Sequence, residues 1–284
     1  MLANAYTAGI EYFTSLAKAA EMIIDFHAHV FPDRIAASTI EKLSAEASEY
    51  PIVHDGTSAG LLDVMDEWGI NLSVVQPVIT KASQFNSINT WAQSICSERL
   101  ISFGAIYPHS ENYKQEIDFV VELGLKGLKF HAEYQGFQID DDRMLKIYDY
   151  ALSRGLILLY HAGYDPAFRP PFKSSPEQFA RIVKAMQGGT IIAAHLGGHA
   201  QWDDVEEHLV GTGIYLDTSI SSEYYSADQF LRIVEGHGAD KILFATDSPW
   251  SYADKEIEYL RNLSLPESDK AAILGENARR ILKI

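Results

Sequence analysis

The sequence has little of several features that assign proteins to common functional classes. One cysteine, Cys96, stands among 284 residues, which excludes an internal disulfide and a metal cluster built from thiolates. Lys and Arg number 23 against 39 Asp and Glu, a formal net charge of -16, and this shortage of cations argues against binding to a phosphate backbone. No run approaches the roughly 18 apolar residues of a membrane span, and the N-terminus lacks a secretory signal. We therefore expect a cytoplasmic protein with neither nucleic acid nor membrane as a partner.

A glycine-rich dinucleotide turn is also missing after the first strand, where a doubly wound sheet would carry one. From Met22 onward, short apolar runs instead alternate with amphipathic ones, the pattern of parallel strands joined by crossover helices. Eight such units predict an α/β fold, a single-domain (β/α)8 TIM barrel. The predicted strands are 22–27, 72–77, 101–107, 127–131, 156–161, 190–195, 214–218 and 242–246, and the predicted helices are 61–68, 86–97, 115–123, 143–154, 176–186, 203–210, 227–235, 256–262 and 267–282.

Residues 1–21 precede this pattern as an Ala-rich stretch of mixed character. The spacing of Tyr6, Ile10 and Phe13 fits a short amphipathic helix. An upstream segment that is not native to the fold fits equally well, because the first strand begins directly at Met22. We therefore divide the chain into an N-terminal extension, residues 1–21, and a barrel domain, residues 22–284.

Polar residues concentrate at the ends of the predicted strands, where barrel enzymes place their active sites. The first strand ends with His27 and His29. Because side chains alternate along a strand, residues two apart point the same way, and both imidazoles can reach one ion. A lone His-x-His pair is a weak signal, since hydrogen-bonded histidines at strand ends explain it as well.

Three further strand ends strengthen the metal interpretation. His161 and His195 directly follow the fifth and sixth strands, and Asp247 follows the eighth. Each residue alone has a structural explanation; Asp247, for instance, fits a turn before Pro249. Together, histidines and an aspartate at one end of a barrel supply the nitrogen and oxygen ligands that zinc and similar divalent ions prefer. The sequence therefore predicts a metal site.

Seven motifs, in one order, resemble the amidohydrolase superfamily, in the branch that contains aminocarboxymuconate-semialdehyde decarboxylase. The resemblance covers residues 22–284 and identifies a family rather than a substrate. The motifs are IDFHAH at 24–29, GLKFH at 127–131, HAG at 161–163, AHLGG at 194–198, YLDTS at 215–219, TDSPW at 246–250 and GENARRIL at 275–282.

This resemblance implies one divalent ion, zinc with manganese as the alternative, and a small-molecule substrate. It also implies that His195 acts beside the ion as a catalytic residue, and a homodimer is the expected assembly. The implied metal ligands are His27, His29, His161 and Asp247, of which Asp247 is also catalytic.

Substrate contacts are expected from the fourth strand and from the loops after strands five and eight. Lys129 and His131 occupy the strand on which two-metal relatives carry a carboxylated lysine. We predict them as pocket-wall or anion-binding residues, and a buried, neutralised pair is an equally open alternative. The loop candidates are Tyr164, Arg169 and Trp250. Arg169 could clamp a carboxylate at two points, with a solvated surface arginine as the alternative.

Two reactions share this ligand set. In the first, metal-activated water hydrolyses a small ester, lactone or amide, and Asp247 carries the proton. In the second, an unsaturated or aromatic carboxylic acid loses carbon dioxide without oxidation; hydration of such an acid is a variant. We expect the hydrolase, with the decarboxylase as the alternative. A metal-free binding protein is a third class, disfavoured because no expected ligand position is replaced.

Overall fold

All eight predicted strands are present and run parallel. The structure is a computed structural model, and it describes residues 22–186, 188–220 and 222–284. The observed strands are shorter than the predicted ones, because several predicted ends belong to the loops that carry the polar residues. The strands are β1 Ile24–Ala28, β2 Leu72–Val75, β3 Leu100–Ser102, β4 Gly127–Phe130, β5 Ile157–Tyr160, β6 Ile191–Ala193, β7 Tyr215–Asp217 and β8 Ile242–Leu243.

The strands close into a barrel. Strands β1 to β3 pair in sequence order, as do β4 to β8. Two parallel bridges join these sets: Gly104 with Leu128 at the seam between β3 and β4, and Ala28 with Ser248 at the seam between β8 and β1. At the second seam the Phe26 amide also donates to the Phe244 carbonyl at 2.9 Å. No strand edge is then left open at either seam, and the predicted (β/α)8 barrel is confirmed.

Apolar side chains fill the lower part of the barrel and polar ones occupy its upper part. Ile157 and Leu159 on β5, with Leu243 and Ala245 at β8, belong to one buried cluster drawn from strands all round the barrel. Because residues two apart share a face, His161 and Asp247 continue these inward rows. The barrel axis therefore leads from a packed core to the predicted site.

Helices surround the barrel and bury a second, larger apolar layer. Their ends follow local rules: at the start of one of them, the Ser175 side chain accepts from the Gln178 amide beside Pro176, a capping box. The helices are α1 Asp33–Glu46, α2 Ser58–Trp68, α3 Phe85–Ser94, α4 Tyr113–Glu122, α5 Ala132–Gln135, α6 Asp142–Ser153, α7 Pro176–Ala185, α8 Trp202–His208, α9 Ala227–His237, α10 Ala253–Asn262, α11 Glu267–Ala271 and α12 Asn277–Leu282.

The structure departs from the predicted helices in three places. Helix α1 and the one-turn helix α5 were not predicted. The single helix predicted over 267–282 is divided by a π-helical segment, Ala272–Glu276. Within it, a Cβ on Gly275 would lie 1.8 Å from the Met22 carbonyl oxygen, so the wide turn brings backbone directly against the start of β1.

Two other expectations concern the N-terminal extension and the absence of a membrane-spanning helix. The N-terminal extension predicted over residues 1–21 lies outside the described residues. No helix in the described part of the chain is long and apolar enough to cross a membrane.

Candidate metal centre

Most of the predicted site residues line one pocket at the carboxyl ends of the strands. The pocket has a volume of about 540 Å³, within the range of roughly 300–1,000 Å³ common for small-molecule sites. The predicted residues that line it are His29, Lys129, His131, His161, Tyr164, His195, Asp247 and Trp250. His27 is 1% exposed and is not among the described residues that line the pocket, but its Nε2 atom contacts that of His29.

His27, His29 and Asp247 form the tightest group of metal-type donors. The Nε2 atoms of His27 and His29 are 3.1 Å apart. Asp247 Oδ1 lies 3.4 Å from the first and 3.0 Å from the second. Donors bound at about 2.1 Å to a tetrahedral ion are themselves about 3.4 Å apart, so this spacing suits one shared divalent cation.

Two neighbours indicate which nitrogen of His27 carries the ring hydrogen and which carries the lone pair. The Nδ1 atom of His27 lies 3.0 Å from Asp217 Oδ2, a carboxylate that can only accept while ionised. On the other side, Lys129 Nζ lies 2.8 Å from Nε2, and an ammonium can only donate. The hydrogen of the ring is therefore on Nδ1. A carboxylate that fixes a histidine in this way is the usual support of a metal-binding imidazole.

Burial keeps these groups in the protonation states that a metal requires. Burial and the Lys129 charge lower the pKa of His27, so its ring is neutral. Burial raises the pKa of Asp247, but the nearby His27 and His29 outweigh it and hold the pKa well below its usual range. Asp247 is therefore ionised, and its buried Oδ1 has no hydrogen-bond partner among the described residues. An orphaned carboxylate oxygen between two imidazoles fits a cation site.

Strained backbone presents both predicted catalytic residues. His195 has a φ of +57° and Asp247 a φ of +62°, a left-handed conformation that costs about 1–3 kcal/mol for a residue with a side chain. The Asp247 amide donates to the His27 carbonyl at 2.7 Å, which joins the two strand ends that carry the candidate ligands. Backbone strain of this kind is retained at sites where the direction of a side chain matters for function, here those of His195 and Asp247.

Asp25 links the same two strand ends from below and was not predicted as a site residue. Its Oδ1 accepts from the amides of His27 at 3.1 Å and Thr246 at 3.0 Å, and its Oδ2 accepts from the Thr246 hydroxyl at 2.7 Å. Burial raises its pKa to about 7. An acidic residue inside the apolar first strand, in the IDFHAH motif, was the available signal. Asp25 contacts the backbone at the two strand ends that carry the candidate ligands and is not among the residues that line the pocket.

His161 and His195 form a second pair on the pocket wall. His195 Nε2 lies 3.1 Å from His161 Nδ1, so the two rings can share one proton. The Nδ1 atom of His195 lies 3.1 Å from the Ser219 carbonyl, and its amide donates to Asp217 at 3.0 Å. Asp217, in the YLDTS motif, thus contacts both histidine groups.

His161 is also close to His131 and Asp165, a second cluster of donors. The rings of His131 and His161 are stacked, with centroids 4.1 Å apart and an angle of 11° between planes. Imidazole binds metal through a lone pair in the ring plane, and lone pairs of parallel stacked rings do not converge. His131 Nε2 instead pairs with Asp165 Oδ2 at 3.2 Å. This cluster is better described as an acid–histidine pair than as a second metal site.

The remaining predicted contacts divide into two groups. Tyr164, Trp250, Lys129 and His131 line the pocket. Lys129 is 1% exposed, and burial lowers its pKa to about 8. Arg169 is exposed and is not among the described residues that line the pocket, so its role as a carboxylate clamp stays a prediction.

The sequence did not indicate Tyr50 and His199, which line the pocket beside the predicted Tyr164. The Tyr50 hydroxyl lies 3.1 Å from His199 Nε2, and the His199 ring stacks on Tyr164 with centroids 5.7 Å apart. Gly163 permits this packing, because a Cβ there would lie 2.4 Å from the His199 amide nitrogen. Burial lowers the pKa of His199 to about 3, so a neutral ring covers the site.

Comparison with known proteins gives one family and many similar structures. Residues 24–284 match the model of the family described as amidohydrolase, Amidohydro_2. No curated protein matches the sequence. A 5-carboxyvanillate decarboxylase from Sphingomonas paucimobilis is 14% identical, with a TM-score of 0.68 over 93% of this chain and 100% of that one.

Two further structures have the same fold. A dihydroxybenzoic acid decarboxylase from Polaromonas, with bound manganese and an inhibitor, is 16% identical, with a TM-score of 0.68 over 92% of this chain and 97% of that one. A probable 2-pyrone-4,6-dicarboxylic acid hydrolase from Acinetobacter baumannii is 14% identical, with a TM-score of 0.63 over 92% of this chain and 99% of that one.

Proposed function

Because the chain belongs to the amidohydrolase family, we propose that it is a metal-dependent enzyme that removes carbon dioxide, without oxidation, from an aromatic or otherwise unsaturated carboxylic acid. The observation that carries this proposal is the convergence of His27, His29 and the orphaned Asp247 carboxylate within 4.8 Å in a pocket whose wall includes the buried Lys129. The decarboxylases among the similar structures support this reaction over the hydrolysis that we expected from the sequence.

The proposed cofactor is one divalent ion held by His27, His29 and Asp247. His161, predicted as a fourth ligand, is not in this donor group; its ring nitrogens lie 3.1 Å from His195 Nε2 and 3.2 Å from the Tyr164 carbonyl oxygen. Imidazole nitrogens and carboxylate oxygens suit zinc and manganese alike, and manganese is bound in one similar decarboxylase. The chemistry that such an ion supplies is polarisation of the substrate carboxylate and of an oxygen beside it.

The protein side chains bind the acid and move one proton. Lys129 places a cation against the bound carboxylate. The bond from that carboxylate to its carbon breaks, carbon dioxide leaves, and the carbon receives a proton in its place. His195 Nε2, which shares a proton with His161 Nδ1 at 3.1 Å, is the proposed donor. Asp247, held ionised, is the proposed base for an acidic hydrogen of the substrate.

Hydrolysis of a lactone is the second candidate. It is supported by the similar fold of the probable pyrone dicarboxylate hydrolase. The two reactions differ in products, because hydrolysis consumes water and releases acid without carbon dioxide.

The test is a panel of hydroxybenzoates and pyrone lactones incubated with purified protein that has been reconstituted with Mn²⁺ or Zn²⁺. We expect carbon dioxide from a hydroxybenzoate and, in D₂O, one deuterium at the vacated carbon. Asp247→Asn and His195→Gln should each lower kcat by about 10²-fold or more, while Asp66→Asn, an exposed control, should not. Acid release without carbon dioxide would establish the hydrolase instead.

A further inference from the structure

The pocket extends beyond the metal centre toward the β1 and β2 side of the barrel mouth. Helix α1, which follows β1, lines it with residues 35, 38, 39, 42 and 43, and α3, after β2, lines it with residues 88 and 91. These spacings place each set on one face of its helix, so the two helices face each other across the pocket. We call this part of the pocket the apolar groove; its apolar walls are Ile35, Leu43, Val78, Ile88 and Trp91.

Helix α1 spans this groove and is not packed into the core. Among the described residues, α1 buries Ala36 alone, although it is 14 residues long. Ile35 is 38% exposed while lining the groove. At the far end of α1, the Tyr134 hydroxyl donates to Glu46 at 3.1 Å. The side of α1 that faces the pocket is therefore accessible to a ligand, and this hydrogen bond links the end of α1 to α5.

The chemistry of the groove differs from that of the metal centre. Its Lys42 side chain is 73% exposed, with Nζ 4.0 Å from Glu46 Oε1, so this cation is solvated and offers no buried partner to an anion. Trp91 and Ile88 are partly buried and pack on the core. A ligand that spans the pocket thus meets Lys129 and the metal donors at one end. At the other end it meets the apolar walls, which are interspersed with the uncharged polar residues Ser38, Thr39, Thr80 and Gln84.

We propose that the apolar groove binds the body of the substrate, and that the substrate is an aryl carboxylic acid larger than one ring, such as a fused bicyclic acid. This inference rests on the proposed function for the position of the carboxylate. The pocket volume of about 540 Å³ has room for about 18 water molecules at ~30 Å³ each. A benzoate has about nine non-hydrogen atoms, about half as many groups as the pocket has room for. A single ring leaves the groove unfilled, and a second ring buries its apolar surface there.

The test compares binding of 2-naphthoate and benzoate to the metal-reconstituted full chain by calorimetry. We expect 2-naphthoate to bind about tenfold more tightly, the scale of burying one more fused ring. Leu43→Trp and Ile88→Trp fill the groove from opposite walls. Each should remove most of this preference while changing benzoate affinity by less than about twofold. Ala37→Trp, exposed and outside the lining of the pocket, is the matched control.

Two results would overturn the inference: equal affinity for the two acids, or a preference that survives in both groove-filling variants. If a second copy of the chain covers the groove, sedimentation would show a dimer that Leu43→Trp disrupts, and the naphthoate preference would be absent. Binding is measured without turnover, so a naphthoate preference in a protein that decarboxylates nothing would refute the proposed function and leave the groove assignment standing.

Discussion

The buried carboxyl group of Glu256 on α10 predicts a stability that depends on pH. Glu256 is 7% exposed, and burial raises its pKa from 4.5 to about 7, against hydrogen bonds from Ser222 that lower it. The folded protein therefore binds this proton more tightly than the unfolded chain does. The stabilisation is complete below about pH 4.5 and is lost as the pH rises through about 7. At 1.36 kcal/mol per pKa unit, the loss at pH 8 is about 3 kcal/mol.

Glu256→Gln removes the charge and keeps the shape of the side chain. We expect the free energy of unfolding in urea to rise by about 2–3 kcal/mol at pH 8 and to change little at pH 5, where the glutamic acid is already neutral. Glu258→Gln, exposed on the same helix, should change neither value by more than about 0.5 kcal/mol. An equal effect of Glu256→Gln at both pH values, or destabilisation at pH 8, would refute the reasoning.

Two further substitutions test close contacts in the barrel, one at the pocket and one at the start of β8. Gly163→Ala should lower the free energy of unfolding by about 3 kcal/mol, because φ is +82° and the added Cβ would meet the His199 backbone. The control is Gly69→Ala, where φ is +72° but no atom lies within 4 Å of the added Cβ; it should cost about 1 kcal/mol. Equal losses would contradict the close approach. Asn277→Ala should cost about 2 kcal/mol in the same urea assay, because Asn277 donates to the carbonyls of Ala239 at 2.7 Å and Ile242 at 2.8 Å; no loss would contradict that tether.

The barrel was predictable because its strands and helices follow simple periodicity. Each of the eight strands buries almost every residue, and parallel strands covered by helices read as short apolar runs. The positions of the candidate site residues at the barrel mouth were predictable for a related reason. Polar residues directly after such runs, as at His161 and Asp247, have no place in the core, so their positions alone indicate the barrel mouth.

Helix α1 could not be predicted from periodicity because its inward face is not in the core. It buries Ala36 alone among the described residues, so its apolar positions lack a regular stripe. The role of Asp25 was hidden for a different reason. Its three accepted hydrogen bonds include two from Thr246, more than two hundred residues away in the sequence, and only the closed barrel brings them together.

The spatial relation of the histidines was also beyond sequence reasoning. The sequence places His161 and His131 at adjacent strand ends, but the stacking of their rings at 4.1 Å depends on side-chain rotation. The choice between hydrolysis and decarboxylation depends on the shape and polarity of the substrate pocket, to which helices α1 and α3 contribute. Neither the stacking of the rings nor the shape of the pocket can be predicted from a local sequence pattern.

The most direct test of the metal centre is the metal content per chain, measured by plasma mass spectrometry after reconstitution and dialysis. We predict one divalent ion in the wild type and in His131→Ala, and a loss of the ion in His29→Ala and Asp247→Ala, with folding checked by circular dichroism. A folded His29→Ala protein that keeps a full equivalent, or a wild type that holds no ion, would contradict the assignment of His27, His29 and Asp247 as the metal site.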